Sequence, residues 1–150
     1  MPDGQSSLQT QDTDILVPHD AGNLERLLAA VASRRSDEFS VLASDGDDIR
    51  EVRYLRAQDR RREAARLMKE PWTLIIQAAG WRHQFEILRR VTGFSFEDLE
   101  SDSVVFGKTA APMRVARPEK ILESKRRAGR PKDRAFFRKY SCILEDAVKT

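Results

Sequence analysis

Asp12 and Asp14 are separated by one residue in the run Asp12-Thr13-Asp14-Ile15-Leu16-Val17. On an extended strand that spacing puts both carboxylates on one face and Thr13, Ile15 and Val17 on the other. Two carboxylates so placed can converge on a hard divalent cation such as Mg²⁺, which takes oxygen ligands. Glu86, in the run Gln84-Phe85-Glu86-Ile87-Leu88, is a third candidate, because an unpaired charge in mid-strand is costly to bury. If its strand lies beside that of the two aspartates, three acids meet at one point. Such a cluster suits two-metal phosphoryl or nucleotidyl transfer, in which one ion activates a hydroxyl and the other steadies a triphosphate. Asp-x-Asp alone is a common chance pattern, so the elements that carry these residues decide its meaning.

A strand over 12–17 is ended by Pro18. Asp20 stands where it would cap a helix over about 22–35, in which Leu24, Leu27, Leu28 and Val31 recur at the spacing of a buried stripe. Residues 44–48 read as a turn. A second helix is expected over 49–69, with Ile49, Val52, Leu55, Ala65 and Met68 inward, Arg60-Arg61-Arg62 on a solvated face, and Pro71 closing it. Residues 73–77 and 84–88 read as two strands of a hairpin connected through Gly80. One helical turn over 95–99, short strands at 104–106 and 113–116, a helix opened by Pro118 and running to about 127, and a last helix over 132–147 complete the pattern. The expected class is α+β: a mixed central sheet flanked by helices, with further helices at the C-terminus. Residues 1–11, polar and rich in Gln, Ser and Thr, are expected to be a flexible segment ahead of a single domain over 12–150.

A chain of 150 residues, 40% hydrophobic and 34% charged, affords one ordinary core under a heavily charged surface. It contains no apolar run of the ~18 residues that a membrane helix needs, and its start lacks the basic and apolar regions of a secretory signal. The expectation is a soluble, cytoplasmic protein. A single cysteine, Cys142, excludes an internal disulfide and a cysteine-based zinc site. The net charge of +3 conceals an asymmetry: residues 1–51 carry eleven acids and four bases, residues 114–139 eleven bases and three acids. The acids can hold metal and the bases an anion or nucleic acid, or both can be solvated surface. His19 and His83 have no partner at a metal-ligand spacing, and neither a nucleophile elbow nor a Walker loop is present. Trp72 and Trp81 read as packing residues, and Cys142 as a small buried hydrophobe.

Three blocks resemble one family in the family's order. Thr10-Gln11-Asp12-Thr13-Asp14-Ile15-Leu16-Val17, with Asn23-Leu24-Glu25-Arg26-Leu27 after it, resembles the active-site strand and next helix of the small bacterial nucleotidyltransferases of the DNA-polymerase-β-like superfamily, which include members of toxin–antitoxin and abortive-infection systems. Phe85-Glu86-Ile87-Leu88-Arg89-Arg90-Val91-Thr92-Gly93-Phe94, then Phe96-Glu97-Asp98-Leu99, is similar to the strand of the third carboxylate and the turn after it. The run from Pro118 to Asp133, with Lys125-Arg126-Arg127-Ala128-Gly129-Arg130-Pro131-Lys132-Asp133, resembles the signature Lys-x-x-Ala-Gly-Arg-Pro-Lys-Asp.

The resemblance implies a nucleotidyltransferase-like fold with Asp12, Asp14 and Glu86 as a catalytic triad holding Mg²⁺. It implies that Thr10, Lys125 and Arg130 lie on the nucleotide side, with Arg130 and Asp133 also bracing the turn between the last two helices. The partners it implies are a nucleoside triphosphate and a hydroxyl acceptor on RNA, protein or a small molecule, with no membrane.

The chain also departs from the family pattern. A Gly-Ser or Gly-Gly loop and a Gly-x-x-Arg-x-Thr run usually precede the acids; here Thr10 matches, but Leu8 stands at the arginine position and Gln5 at the glycine. The third acid is glutamate instead of the commoner aspartate. Backbone amides of such a loop are the main phosphate ligands. The expectation is therefore a truncated or degenerate phosphate-binding end and a weak or inactive catalyst. The alternatives are a non-catalytic, antitoxin-like partner protein and a nucleic-acid-binding protein of the same fold, the last recognised by salt-sensitive binding that needs no metal.

Overall fold

Apolar residues at alternate positions along the strands of the first half build most of one face of a mixed sheet. The computed structural model describes residues 12–70, 72–80, 82–107 and 112–148, with the backbone alone for residue 36 and for 141–148. Gln5, Leu8, Thr10 and Trp81, and the side chain of Cys142, lie outside the described residues. The chain divides into two compact units, Met1–Arg89 and Arg90–Thr150.

In the first unit, β1 (Asp12–Leu16), α1 (Ala21–Ala32), a 3₁₀ turn (Ser36–Glu38), β2 (Phe39–Ser44), β3 (Ile49–Glu51), α2 (Ala57–Leu67), β4 (Thr73–Ala78) and β5 (Gln84–Leu88) follow in sequence. The sheet order is β1-β5-β4-β2-β3, with β1 parallel to β5 and the other pairs antiparallel. Val17, Val41, Ala43, Leu74, Ile76 and Ile87 come from one side of the sheet and pack in one core with Leu24 and Leu28 of α1 and Ala64 and Leu67 of α2. Strand alternation leaves the opposite face without a share in that core, and Asp12, Asp14 and Glu86 stand there.

The helix α1 starts where expected: the Asp20 carboxylate accepts from the Gly22 amide at 2.8 Å, satisfying a free donor of the first turn. The helix expected over 49–69 is corrected. Residues Ile49–Glu51 form β3, paired with β2, and the helix is confined to Ala57–Leu67. The cause is the turn at 44–48: Asp45 accepts from the amides of Asp47 and Asp48 at 3.0 and 2.8 Å, Gly46 takes φ +105°, and the chain folds back on β2. The inward set changes with it. Ile49 and Leu55 are 65% exposed and Ala65 is exposed, whereas Val52, Ala64 and Leu67 are buried. Glu63 is buried on α2 because its carboxylate accepts from Arg50 Nη1 at 2.6 Å and from the Arg53 amide at 3.3 Å.

The second unit carries the hairpin β6 (Arg90–Val91) and β7 (Phe94–Ser95), α3 (Phe96–Glu100), the ribbon β8 (Val104–Phe106) and β9 (Met113–Val115), then α4 (Pro118–Ala128) and α5 (Pro131–Val148). Ser95 and Asp98 form a reciprocal capping box at the start of α3. Pro118 opens α4, and Gly129, in the left-handed conformation at φ 59°, ends it. Among the described residues no helix is long and apolar enough to cross a membrane.

Candidate functional site

The parallel pairing of β1 with β5 sets Asp14 directly opposite Glu86 and Asp12 opposite Gln84. Register partners project from the same face of a sheet, and so do residues two apart on one strand. Asp12, Asp14, Gln84 and Glu86 therefore form a patch across the β1 edge, on the side away from the core. The aspartates are exposed and Glu86 is half-buried. Gln77 of β4 continues the patch, because β4 pairs with β5 so that Gln77 faces Gln84.

The electrostatics of the patch act on Glu86. Burial pushes its carboxyl above the ordinary range, and the charges of Asp12 and Asp14 push it further. A hydrogen bond with the Asp12 carboxyl adds to the rise, an interaction open to two carboxyl groups when one carries a proton. The Gln84 side chain works the other way: its Nε2 donates to Glu86 Oε1 at 3.3 Å, which favours the ionised form. Gln84 is itself held, its Oε1 accepting from Gln77 Nε2 at 2.7 Å.

By chemistry the donor set fits a hard dication: three carboxylates on one face whose mutual repulsion a bound cation would relieve. By geometry, among the described residues no group of three or more His, Cys, Asp or Glu side chains is placed to hold a metal ion. The acids are assembled on one surface of the sheet. What the patch can do as it stands is attract cations.

The basic candidates belong to the second unit. Arg130 spends its guanidinium within the protein: Nε donates to Asp133 Oδ2 at 2.7 Å, and its amide donates to the same oxygen at 3.3 Å. Asp133 is 2% exposed. Burial works to raise its carboxyl, but the Arg130 bonds and charge, with Lys125 beyond, outweigh burial and hold it below the ordinary range. The bracing role expected of Arg130 and Asp133 is thus visible at the α4–α5 turn. Lys125 Nζ lies 4.0 Å from Asp133 Oδ1 and over the Phe136 ring. Thr10 lies outside the described residues.

His19 and His83 are engaged with other side chains, His19 Nδ1 with Arg89 Nη1 at 2.9 Å and His83 with Thr13. Trp72 is buried, as its packing role requires. A recess of about 390 Å³ lined by Ser44, Asp45, Arg50, Arg66, Glu70 and Trp72 shares no residue with the acidic patch. Gln77 and Gln84 were not singled out from the sequence. The period of two that joined Asp12 to Asp14 also joins Gln84 to Glu86 and was the available signal; the Gln77 contact needed the pairing of β4 with β5.

No protein-family model, curated protein or solved structure matches this chain.

Proposed function

We propose that the chain is a nucleotidyltransferase-like protein of the DNA-polymerase-β class, in which Asp12, Asp14 and Glu86 hold Mg²⁺ and direct a nucleoside triphosphate toward a hydroxyl acceptor. The observation that carries this reading is the register of β1 on β5, which sets Asp14 against Glu86 with Asp12 on the same face. It is supported by the agreement of three sequence blocks with one family, in order. When bound, Mg²⁺ would supply charge for the triphosphate and acidify the attacking hydroxyl. The protein's own part is to gather three carboxylates on an open sheet face, where Gln84 donates to Glu86. Labelled nucleoside triphosphates incubated with RNA or protein acceptors and Mg²⁺ test it: transfer that disappears in Asp14→Ala supports the reading. Transfer that persists in Asp14→Ala overturns it.

One observation favours a second reading, a non-catalytic partner protein of the same fold. Among the described residues no group of three or more His, Cys, Asp or Glu side chains is placed to hold a metal ion, Asp12, Asp14 and Glu86 included. A folded protein that binds a partner and turns over no nucleotide is its signature. The nucleic-acid-binding reading draws less support. Lys120 is paired with Asp102 at 2.9 Å, Arg126 and Arg127 with Glu123 at 2.9 and 3.1 Å, and Arg130 with Asp133, so much of the basic charge of 114–139 is answered inside the unit.

A further inference from the structure

We infer that the solvent face of α2, with the extended segment before it, is a contact surface for the phosphate backbone of a nucleic acid strand. Arg53, Arg56, Arg61, Arg62 and Lys69 carry it. It needs neither the carboxylates of β1 and β5 nor a metal ion.

Residues 50–69 hold seven arginines and one lysine against three acids. One of those acids, Glu63, is buried and taken by Arg50 at 2.6 Å. Arg60 is half-buried and donates to the carbonyls of Tyr54 and Leu55 at 3.0 and 2.9 Å. Burial of Glu63, Ala64 and Leu67 turns the other side of the helix outward. At about 3.6 residues per turn, Gln58, Arg61, Arg62, Ala65, Arg66 and Lys69 share that side, and none of them is an acid. Arg66 is paired with Glu70 at 3.3 Å. Arg61, Arg62 and Lys69, and the exposed Arg53 and Arg56 ahead of the helix, have no ion pair or side-chain hydrogen bond among the described residues.

The helix is built against its own electrostatics. Arg56 stands at the N-cap and no side chain caps the first turn. Arg56 and Arg60 bracket that turn, the end at which the helix dipole disfavours cations, with Asp59 as its one acid. Arg62 and Arg66 stand four apart, a like-charge spacing that destabilises a helix. Elsewhere surface arginines are answered by acids three or four residues away, as Arg35 is by Glu38, and Arg126 and Arg127 are by Glu123. At those spacings Arg61 has only Ala57, Gln58, Ala64 and Ala65. A phosphodiester backbone relieves these conflicts, because its anionic oxygens match planar guanidinium groups and the free amides of a helix start. An anionic membrane is a poorer match: it would need an apolar face to insert, and the apolar side of α2 is already packed in the core.

Anisotropy of a labelled single-stranded oligouridine, titrated with the full chain in the presence of a chelator and at several salt concentrations, tests the inference. The parent should bind with an affinity that falls with salt, by a log–log slope of about 0.7 for each phosphate neutralised. Arg61→Gln with Arg62→Gln should weaken binding about tenfold and flatten that slope by about 1.4. Arg53→Gln with Arg56→Gln should act in the same direction. Arg126→Gln with Arg127→Gln makes the same change in net charge and should stay within about twofold of the parent. Oligothymidine should bind as oligouridine does, since the contacts are to phosphates. Without nucleic acid, the Arg61/Arg62 double variant should unfold at or above the temperature of the parent, because a like-charge pair is gone. Absence of salt-sensitive binding, or equal losses in the α2 and α4 double variants, overturns the inference. So does a polyglutamate competitor as effective as unlabelled oligouridine, which would make the partner an acidic protein. A lower unfolding temperature with unchanged binding assigns the arginines to the fold and also overturns it.

Discussion

Asp14 on β1 and Glu86 on β5 are register partners in the parallel pair at the edge of the sheet, more than seventy residues apart in sequence. An edge strand exposes backbone donors and acceptors, and charges on it discourage pairing with another chain. Asp12 and Asp14 meet that need at no expense to the core. The same placement sets three acids on one face, where the charges of Asp12 and Asp14 work against the ionised form of Glu86.

That conflict gives a pH dependence with a definite sign. The Glu86 carboxyl is raised in the folded protein by burial first and then by Asp12 and Asp14. A raised carboxyl contributes stability that is fully present below its unfolded value, ordinarily 4.5, and that is lost as pH rises through the folded value. Metal-free Glu86→Gln should therefore unfold at a higher temperature than the parent at pH 7, and the gain should shrink toward zero near pH 4. Thermal unfolding followed by circular dichroism across that range checks it.

The second unit has the opposite case. Asp133 is held low by Arg130, so its contribution to stability is present above the ordinary value of 3.8 and is lost as pH falls through the folded value. Arg130→Ala leaves a buried carboxylate without its guanidinium. The expected cost is about 1–2 kcal/mol at pH 7, less than a fully buried pair because the Arg130 side chain is partly in solvent. Urea unfolding at pH 7 and at progressively lower pH should show that cost diminishing as Asp133 takes up a proton.

The core can be tested where the helical pattern misled. Leu67→Ala removes a fully buried side chain from α2 and should destabilise the protein by about 2–5 kcal/mol. Ile49→Ala and Leu55→Ala, both at 65% exposed positions, should each change stability by no more than about 0.5 kcal/mol. Denaturant midpoints of the three variants decide between the strand and the helix that the spacing at 49–69 predicts.

How far the sequence could be read is clear from these elements. Alternation marked β1, the hairpin through Gly80 marked β4 and β5, and the cap Asp20 and the first-turn Pro118 marked helix starts, because each signal is local. The strand β2 escaped notice because Phe39–Ser44 carries just two buried side chains, Val41 and Ala43, and β3 because three residues are too few for a period to be seen. Ile49 and Val52, three apart, fit a helix equally well until β2 is available as a partner. At the site, Asp12-x-Asp14 was legible as a pair on one face. The adjacency of Glu86 depended on β1 lying beside β5, a long-range pairing that no local pattern encodes. The contact of Gln77 with Gln84 depended on the pairing of β4 with β5.

The acidic patch as a divalent-cation site for a nucleotide is tested most directly by equilibrium binding of a labelled nucleoside triphosphate to the purified chain, with Mg²⁺ and with the ion chelated, in the parent and in Asp12→Ala and Asp14→Ala. The account predicts retention of nucleotide that requires Mg²⁺ and is lost in both variants. Binding that survives chelation and both substitutions, or no binding under any of these conditions, would contradict it.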